Sequence, residues 1–185
     1  MCGLIGYSGD FQEDSLKVGL LAINHRGPDD SGVFFDNVYN IGLGHNRLSI
    51  QDLSPLGHQP MFSDDGKVVL VFNGEIYNFK DLRKELSDKG YQFKGNSDTE
   101  VLLNLYLAEG EKMLDRLNGI FAFAFFDSRS ETIFIARDRF GVKPLYFSET
   151  KEGFSFSSEI KGLRHLVPGE SDLDLESLNR YASFL

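Results

Sequence analysis

The sequence predicts an α+β or layered α/β fold in which stacked β-sheets are covered by helices, and three observations carry that expectation. Ile120 to Asp127 reads as a strand with no polar face, because Phe121, Phe123 and Phe125 alternate with Ala122, Ala124 and Phe126. Such a strand must be covered on both sides. Two segments interleaved with the strand-like runs have amphipathic helical patterning and carry start and stop residues at both ends. Third, a chain of 185 residues that is 41% hydrophobic and 25% charged has a globular composition and the length to bury a core as roughly one domain.

Leu4 to Ser8 is a short apolar run ended by Gly9-Asp10, and Phe11 to Asn24 places Leu16, Leu20, Leu21 and Ile23 at helical spacing. That order gives strand, turn, helix. Arg26-Gly27-Pro28-Asp29-Asp30-Ser31-Gly32 is a loop by its Gly and Pro content, and strand-like runs follow at Val33 to Tyr39 and Ile41 to Ser49. Pro55 and Pro60 bracket a second loop, after which the β-branched and aromatic run Val68 to Phe72 leads into Asn73-Gly74-Glu75. Asn78 is placed to cap a helix from Phe79 to Lys89 that Gly90 stops, and Ser97 with Glu100 has the form of a capping box opening a helix that reaches Glu109-Gly110. Beyond the Phe/Ala strand, Thr132 to Ala136 and Leu145 to Ser148 repeat the strand pattern, and Phe154-Ser155-Phe156 is expected to pair nearby. Leu175, Leu178, Tyr181, Ala182 and Leu185 form an apolar helical stripe that reaches the last residue without a stop signal. We therefore expect the sequence to have been cut from a longer chain.

Nineteen Lys and Arg against 28 Asp and Glu give a formal charge of −9, which argues against nucleic acid or an anionic membrane as the main partner. No run of about 18 apolar residues is present to make a spanning helix, and Met1-Cys2-Gly3-Leu4 opens with no secretory signal, so the protein is expected to be cytoplasmic. The single cysteine excludes an internal disulfide. His25, His45, His58 and His165 have no compact ligand spacing, so no metal is expected in this segment, and the histidines read as structural or exposed. Gly42-Leu43-Gly44 begins like a dinucleotide fingerprint but has Arg47 where the third Gly belongs, which leaves nucleotide binding unsupported here.

Cys2 is the most informative residue. A small penultimate side chain permits removal of Met1, and a terminal cysteine then carries two functional groups. Its α-amine, with a reference pKa of about 7.7 to 8.0, can accept the proton of a thiol near about 8.5 as the sulfur attacks an acyl carbon. Taken alone, the residue reads more simply as a small buried cysteine at the start of a strand.

The opening Met1-Cys2-Gly3-Leu4-Ile5-Gly6 resembles the class II glutamine amidotransferases, a group of N-terminal-nucleophile hydrolases, and further motifs follow in the family's order. Arg26-Gly27-Pro28-Asp29, Gly44-His45-Asn46-Arg47-Leu48-Ser49-Ile50, Asn73-Gly74-Glu75-Ile76-Tyr77-Asn78, Ser97-Asp98-Thr99-Glu100 and Arg137-Asp138-Arg139-Phe140-Gly141-Val142-Lys143-Pro144-Leu145-Tyr146 look like the asparagine synthetase branch. The glucosamine-phosphate-forming branch puts a Trp soon after the residue matching Arg47, whereas this chain has no Trp. The resemblance implies a four-layer αββα sandwich of two stacked, mainly antiparallel sheets. It implies a glutaminase domain over residues 1–165, with 166–185 as linker and start of a truncated synthetase domain.

The activity implied is hydrolysis of the glutamine side-chain amide by Cys2, with ammonia passed to a downstream acceptor site. Asn73 and the backbone N–H of Gly74 would supply two neutral donors to the tetrahedral oxyanion; read alone, Asn-Gly after a strand is a tight turn. Arg47 matches the residue that holds the α-carboxylate and Asp98 the one that holds the α-ammonium, although without the motif order they would read as a surface Arg and a capping Asp. Leu48, Ser49, Ile50, Gln51 and Glu75 correspond to the rest of the pocket lining. Arg26 lies in a loop that approaches the nucleophile, where its charge would favour the thiolate or simply order the loop. No cofactor is implied for this domain; ATP and Mg are expected in the C-terminal synthetase domain, which would be its partner. A homodimer is among the assemblies the resemblance allows. Two alternatives stand beside this reading: a catalytically silent scaffold or regulatory domain of the same fold, and an amide hydrolase acting on another substrate.

Overall fold

The computed structural model describes residues 1–50, 54–167, 169 and 174–184. A five-stranded sheet has the order β2-β3-β1-β9-β8, formed by Asp30–Asp36, Ile41–Arg47, Gly3–Gly9, Gly153–Ser157 and Tyr146–Thr150. A four-stranded sheet has the order β4-β5-β6-β7, formed by Met61–Phe62, Val68–Ile76, Gly119–Asp127 and Thr132–Arg137. All neighbouring strands are antiparallel. Helix α1, Glu13–Ala22, and the short α4, Ile160–Leu163, pack together beside the first sheet; α2, Phe79–Asp88, and α3, Asp98–Glu109, cover the second.

Three buried clusters fill the three spaces between the four layers. Ile5, Tyr7, Leu16, Leu20 and Ile23 join the first sheet to α1. Leu4, Ile41, Leu43, Val69, Val71, Ala122, Ala124 and Phe126 lie between the sheets, whereas Phe121, Phe123 and Phe125 meet Leu82, Leu86, Val101, Leu102 and Leu105 of α2 and α3. The alternation in β6 thus sends three rings to the helices and its two alanines, with Phe126, to the sheet–sheet space. Each fully buried Phe contributes roughly 1.5–3 kcal/mol of apolar transfer free energy.

Several local expectations change. Strand β5 runs through Asn73-Gly74-Glu75 to Ile76, so Asn73-Gly74 is not a turn. Its neighbour β6 pairs Asn73 with Ala122 and Gly74 with Phe121, and this long-range ladder overrides the local turn preference. Asn78 stands at the start of α2 but does not cap it by its side chain; the amide instead donates to Arg116 O and accepts from Asn118 N. Ser97 Oγ does accept from Glu100 N at 3.2 Å, yet the Glu100 carboxylate takes the N–H groups of Lys94 and Gly95, which makes half of a capping box. The terminal stripe is helical, α5 over Leu175–Phe184, and Leu175, Leu178 and Tyr181 are exposed. Leu185 lies outside the described residues.

Candidate active site

Strand alternation explains where the site forms. On β3, Ile41 and Leu43 face the inter-sheet core, and the same parity continues to His45 and Arg47. On β5, Val69 and Val71 continue to Asn73 and Glu75; on β1, Leu4 leads back to Cys2. The apolar space between the sheets therefore becomes polar at one end. A cavity of about 120 Å³ opens there, lined by Cys2, Arg47, Leu48, Ile50, Asn73, Gly74, Glu75 and Asp98 among the residues anticipated from sequence. Ser49 does not line it; its N–H donates to Asp29 Oδ2 at 2.8 Å. Gln51 lies outside the described residues.

The Cys2 thiol is half-buried, and the backbone N–H of Leu48 approaches Sγ at 3.4 Å. The Arg26 guanidinium reaches the Cys2 backbone. Its Nε donates to the Cys2 carbonyl at 3.0 Å and its Nη1 to Glu159 Oε1 at 3.0 Å. Of the two roles expected for Arg26, these bonds give the ordering one, a grip on the Cys2 backbone. Met1 lines the cavity mouth and is 57% exposed.

Asn73 is 1% exposed and its Nδ2 has no partner among the described residues, so a buried donor stands unused at the cavity. Gly74, partly buried, presents a backbone N–H beside it. Tyr77 N donates to Asn118 O and Ser128 N to Lys67 O, so the odd-numbered residues of β5 exchange backbone bonds with β6 and the even-numbered ones point to the opposite edge. Along that edge Phe72 N donates to Gln59 Oε1 at 2.6 Å and Ile76 N to Asp98 Oδ2 at 3.0 Å. The N–H of Gly74 lies between them and faces the cavity. A Cβ at position 74 would approach Ile120 O to 2.5 Å, so only glycine fits.

Arg47 is buried at the end of β3, with Nη1 donating to Ser54 O at 3.2 Å. Gly57 makes room for it, since a Cβ there would stand 2.0 Å from Arg47 Nη2. Asp98 is 5% exposed in the first turn of α3, and burial pushes its carboxyl up to about 6 despite the N–H donors of Ile76 and Thr99. His45 is fully buried and held neutral, with a pKa lowered to about 4 by desolvation. Its Nε2 lies 2.9 Å from Phe72 O, which can only accept, so the proton sits on Nε2 and the bond ties β3 to β5 across the two sheets.

Sequence reasoning missed Gly57, Gln59, Phe72, Ser97, Thr99 and Lys143, all of which also line the cavity. Lys143 is delivered by a loop folded around Asp138, whose carboxylate accepts the N–H groups of Phe121, Phe140, Val142 and Lys143. Burial pushes the Asp138 carboxyl up, but these four donors hold it below its usual range. The Arg137–Tyr146 motif signalled this loop, though not which residue it presents. Among the described residues no group of three or more His, Cys, Asp or Glu is placed to hold a metal ion, and no helix is long and apolar enough to cross a membrane.

Two antiparallel sheets stacked between helices, with the thiol of the second residue at the open end, define the fold of the N-terminal-nucleophile amidotransferases. A solved structure of glutamine phosphoribosylpyrophosphate amidotransferase from B. subtilis, complexed with ADP and GMP, shares this fold with a TM-score of 0.74; the match covers 88% of this chain and 43% of that one at 24% identity. The chain belongs to the glutamine amidotransferase domain family, which it matches over residues 1–185. It is 40% identical to asparagine synthetase [glutamine-hydrolyzing] 1 of Bacillus subtilis (strain 168), a match covering 100% of this chain and 30% of that protein. It is 41% identical to asparagine synthetase B [glutamine-hydrolyzing] of Escherichia coli (strain K12), over 88% of this chain and 30% of the relative. The chain thus spans about a third of the length of these relatives.

Proposed function

We propose that this domain hydrolyses the side-chain amide of free glutamine, with Cys2 as nucleophile, within an asparagine-synthetase-like amidotransferase. Removal of Met1 frees the Cys2 α-amine. The amine takes the thiol proton as the S–C bond forms, and returns it to the departing nitrogen as the C–N bond breaks and ammonia leaves. Water, deprotonated by the same amine, then cleaves the thioester to glutamate and restores the thiol. Asn73 Nδ2 and Gly74 N–H receive the oxyanion in both tetrahedral intermediates. Arg47 pairs with the substrate α-carboxylate and Asp98 with its α-ammonium, while Leu48, Ile50 and Glu75 shape the pocket; Ser49 and Gln51 belong to the segment that borders it.

The observation that carries this reading is the convergence in one cavity of a thiol, an unused buried carboxamide donor, a buried guanidinium and a buried carboxylate. A zwitterionic amide needs those four groups. The ammonia would serve an acceptor activated in a C-terminal synthetase domain that uses ATP and Mg, with residues 1–165 as the glutaminase domain and 166–185 as the start of the connection. No residue of this chain is assigned to ATP or Mg. The test is glutamate release from glutamine by the processed protein, expected in the wild type and lost in Cys2→Ala; equal rates in the two would refute the nucleophile.

A further inference from the structure

We infer that Glu159 is a positioning residue for the nucleophile, acting through Arg26; this rests on Cys2 being the nucleophile. Strand β1 is held on its β9 side by a ladder whose last exchange joins Leu4 and Ser158: Ser158 N donates to Leu4 O at 2.8 Å, and Ser158 Oγ accepts from Leu4 N at 3.0 Å. The even-numbered residues of β1 face β9, so the carbonyl of Cys2 points the same way, toward where residue 160 would continue the strand. The chain has already turned into α4 at Ile160. Among the described residues no backbone N–H donates to the Cys2 carbonyl.

Arg26 fills that gap. Its Nε donates to Cys2 O at 3.0 Å, and its Nη1 donates to Glu159 Oε1 at 3.0 Å, so a side-chain bridge prolongs the ladder by one rung. The Arg26 side chain is 7% exposed, and its Nη2 has no partner among the described residues. A buried guanidinium held by two of its donors needs the carboxylate both for charge and for aim. Glu159 is itself braced by His25 Nε2 at 3.0 Å and Lys161 Nζ at 3.3 Å. Burial pushes its carboxyl up, but the donors of Arg26, His25 and Lys161 hold it below the usual range, so it stays ionised. The N-terminal residue has no preceding chain to fix it once Met1 is gone. Its carbonyl and the Leu48 N–H near its sulfur are then the contacts that set the direction of attack, and an error of an ångström there is costly.

The test compares steady-state glutamine hydrolysis by processed wild type, Glu159→Gln, Arg26→Ala and the double variant, with rates normalised to alkylatable thiol. Glu159→Gln is expected to lower kcat about tenfold or more with KM within about twofold, because the substrate-gripping groups are untouched. The double variant is expected to be no slower than Arg26→Ala. Glu159→Asp keeps the charge, shortens the reach by one methylene and is expected to lose about threefold or more; it carries the same test should the Gln variant not fold. Normal kcat in the Glu159 variants, or a Glu159 effect that persists without Arg26, would overturn the inference. An inactive wild type would instead sink the glutaminase reading itself.

Discussion

Glutamine binding should weaken sharply below about pH 6, and the reason lies in Asp98. Burial raises its carboxyl from 3.8 to about 6, so ionising it in the empty site is costly. The substrate ammonium reverses this preference, because a paired carboxylate is stabilised where a lone one is not. At about pH 5 only about a tenth of the empty protein carries the charged form, so the apparent Kd is expected to be about ten times its value at about pH 8, with a proton released on binding. The sign for folding is opposite. A carboxyl whose folded pKa is raised contributes stability that is fully present below about 3.8 and lost as pH rises through about 6, a loss of about 2 to 3 kcal/mol. Asp98→Asn retains an oxygen to accept from Ile76 N, so it should stabilise the glutamine-free protein by about 1 to 3 kcal/mol above about pH 6 and add little below about pH 4. Titration calorimetry of glutamine into Cys2→Ala, with and without Asp98→Asn, reads the binding arm; thermal melts across pH read the other. A Kd flat between about pH 5 and 8, or a pH dependence that survives in Asp98→Asn, would refute the assignment of Asp98 to the ammonium.

Gly57→Ala would bring a Cβ to 2.0 Å from Arg47 Nη2 and push the guanidinium aside, so KM for glutamine should rise about tenfold or more with kcat changed far less. Asn73→Ala should lower kcat about a hundredfold at nearly unchanged KM, and its melting temperature should not fall much, because the deleted Nδ2 has no partner among the described residues; an equal effect on KM would contradict the oxyanion role. Protein made while methionine removal is inhibited should retain Met1 by intact mass and show no glutamine turnover, since the Cys2 nitrogen is then an amide; turnover by the unprocessed form would exclude the amine as base.

What could be read from sequence is what depends on neighbours along the chain. The Phe/Ala alternation of β6 announced a strand covered on both faces, and each face then found its own cluster. The Asn78 cap failed because its amide found better partners in Arg116 and Asn118, about 40 residues away, which no local rule sees. The two-residue strand β4 was invisible because it exists only as a partner of Leu70 and Val69. The same divide runs through the site. Cys2, Arg47, Asn73, Gly74 and Asp98 were nameable because their chemistry and motif order single them out. Gly57 and Gln59 were not, since each matters by making room for, or holding, a group contributed by a different strand.

The polar end of the inter-sheet space also explains why these residues are tolerated in the core. His45 sits where the pattern of β3 calls for another Ile or Leu, and burying it costs the ionised form of the ring. In return its Nε2–H spans the sheets to Phe72 O, one residue before Asn73, so the strand that ends in Arg47 and the strand that carries Asn73 and Gly74 are tied at a fixed distance. The Nδ1 of His45 and Nδ2 of Asn73 both lack partners among the described residues, an imbalance that apolar packing elsewhere in the sandwich must offset. His45→Leu would fill the same space and remove the orphaned nitrogen but leave the buried Phe72 carbonyl without its donor, so it should lower the melting temperature modestly while loosening the register between the two halves of the site, seen as a kcat loss of about tenfold. A His45→Leu variant with unaltered turnover would show that packing alone fixes that distance.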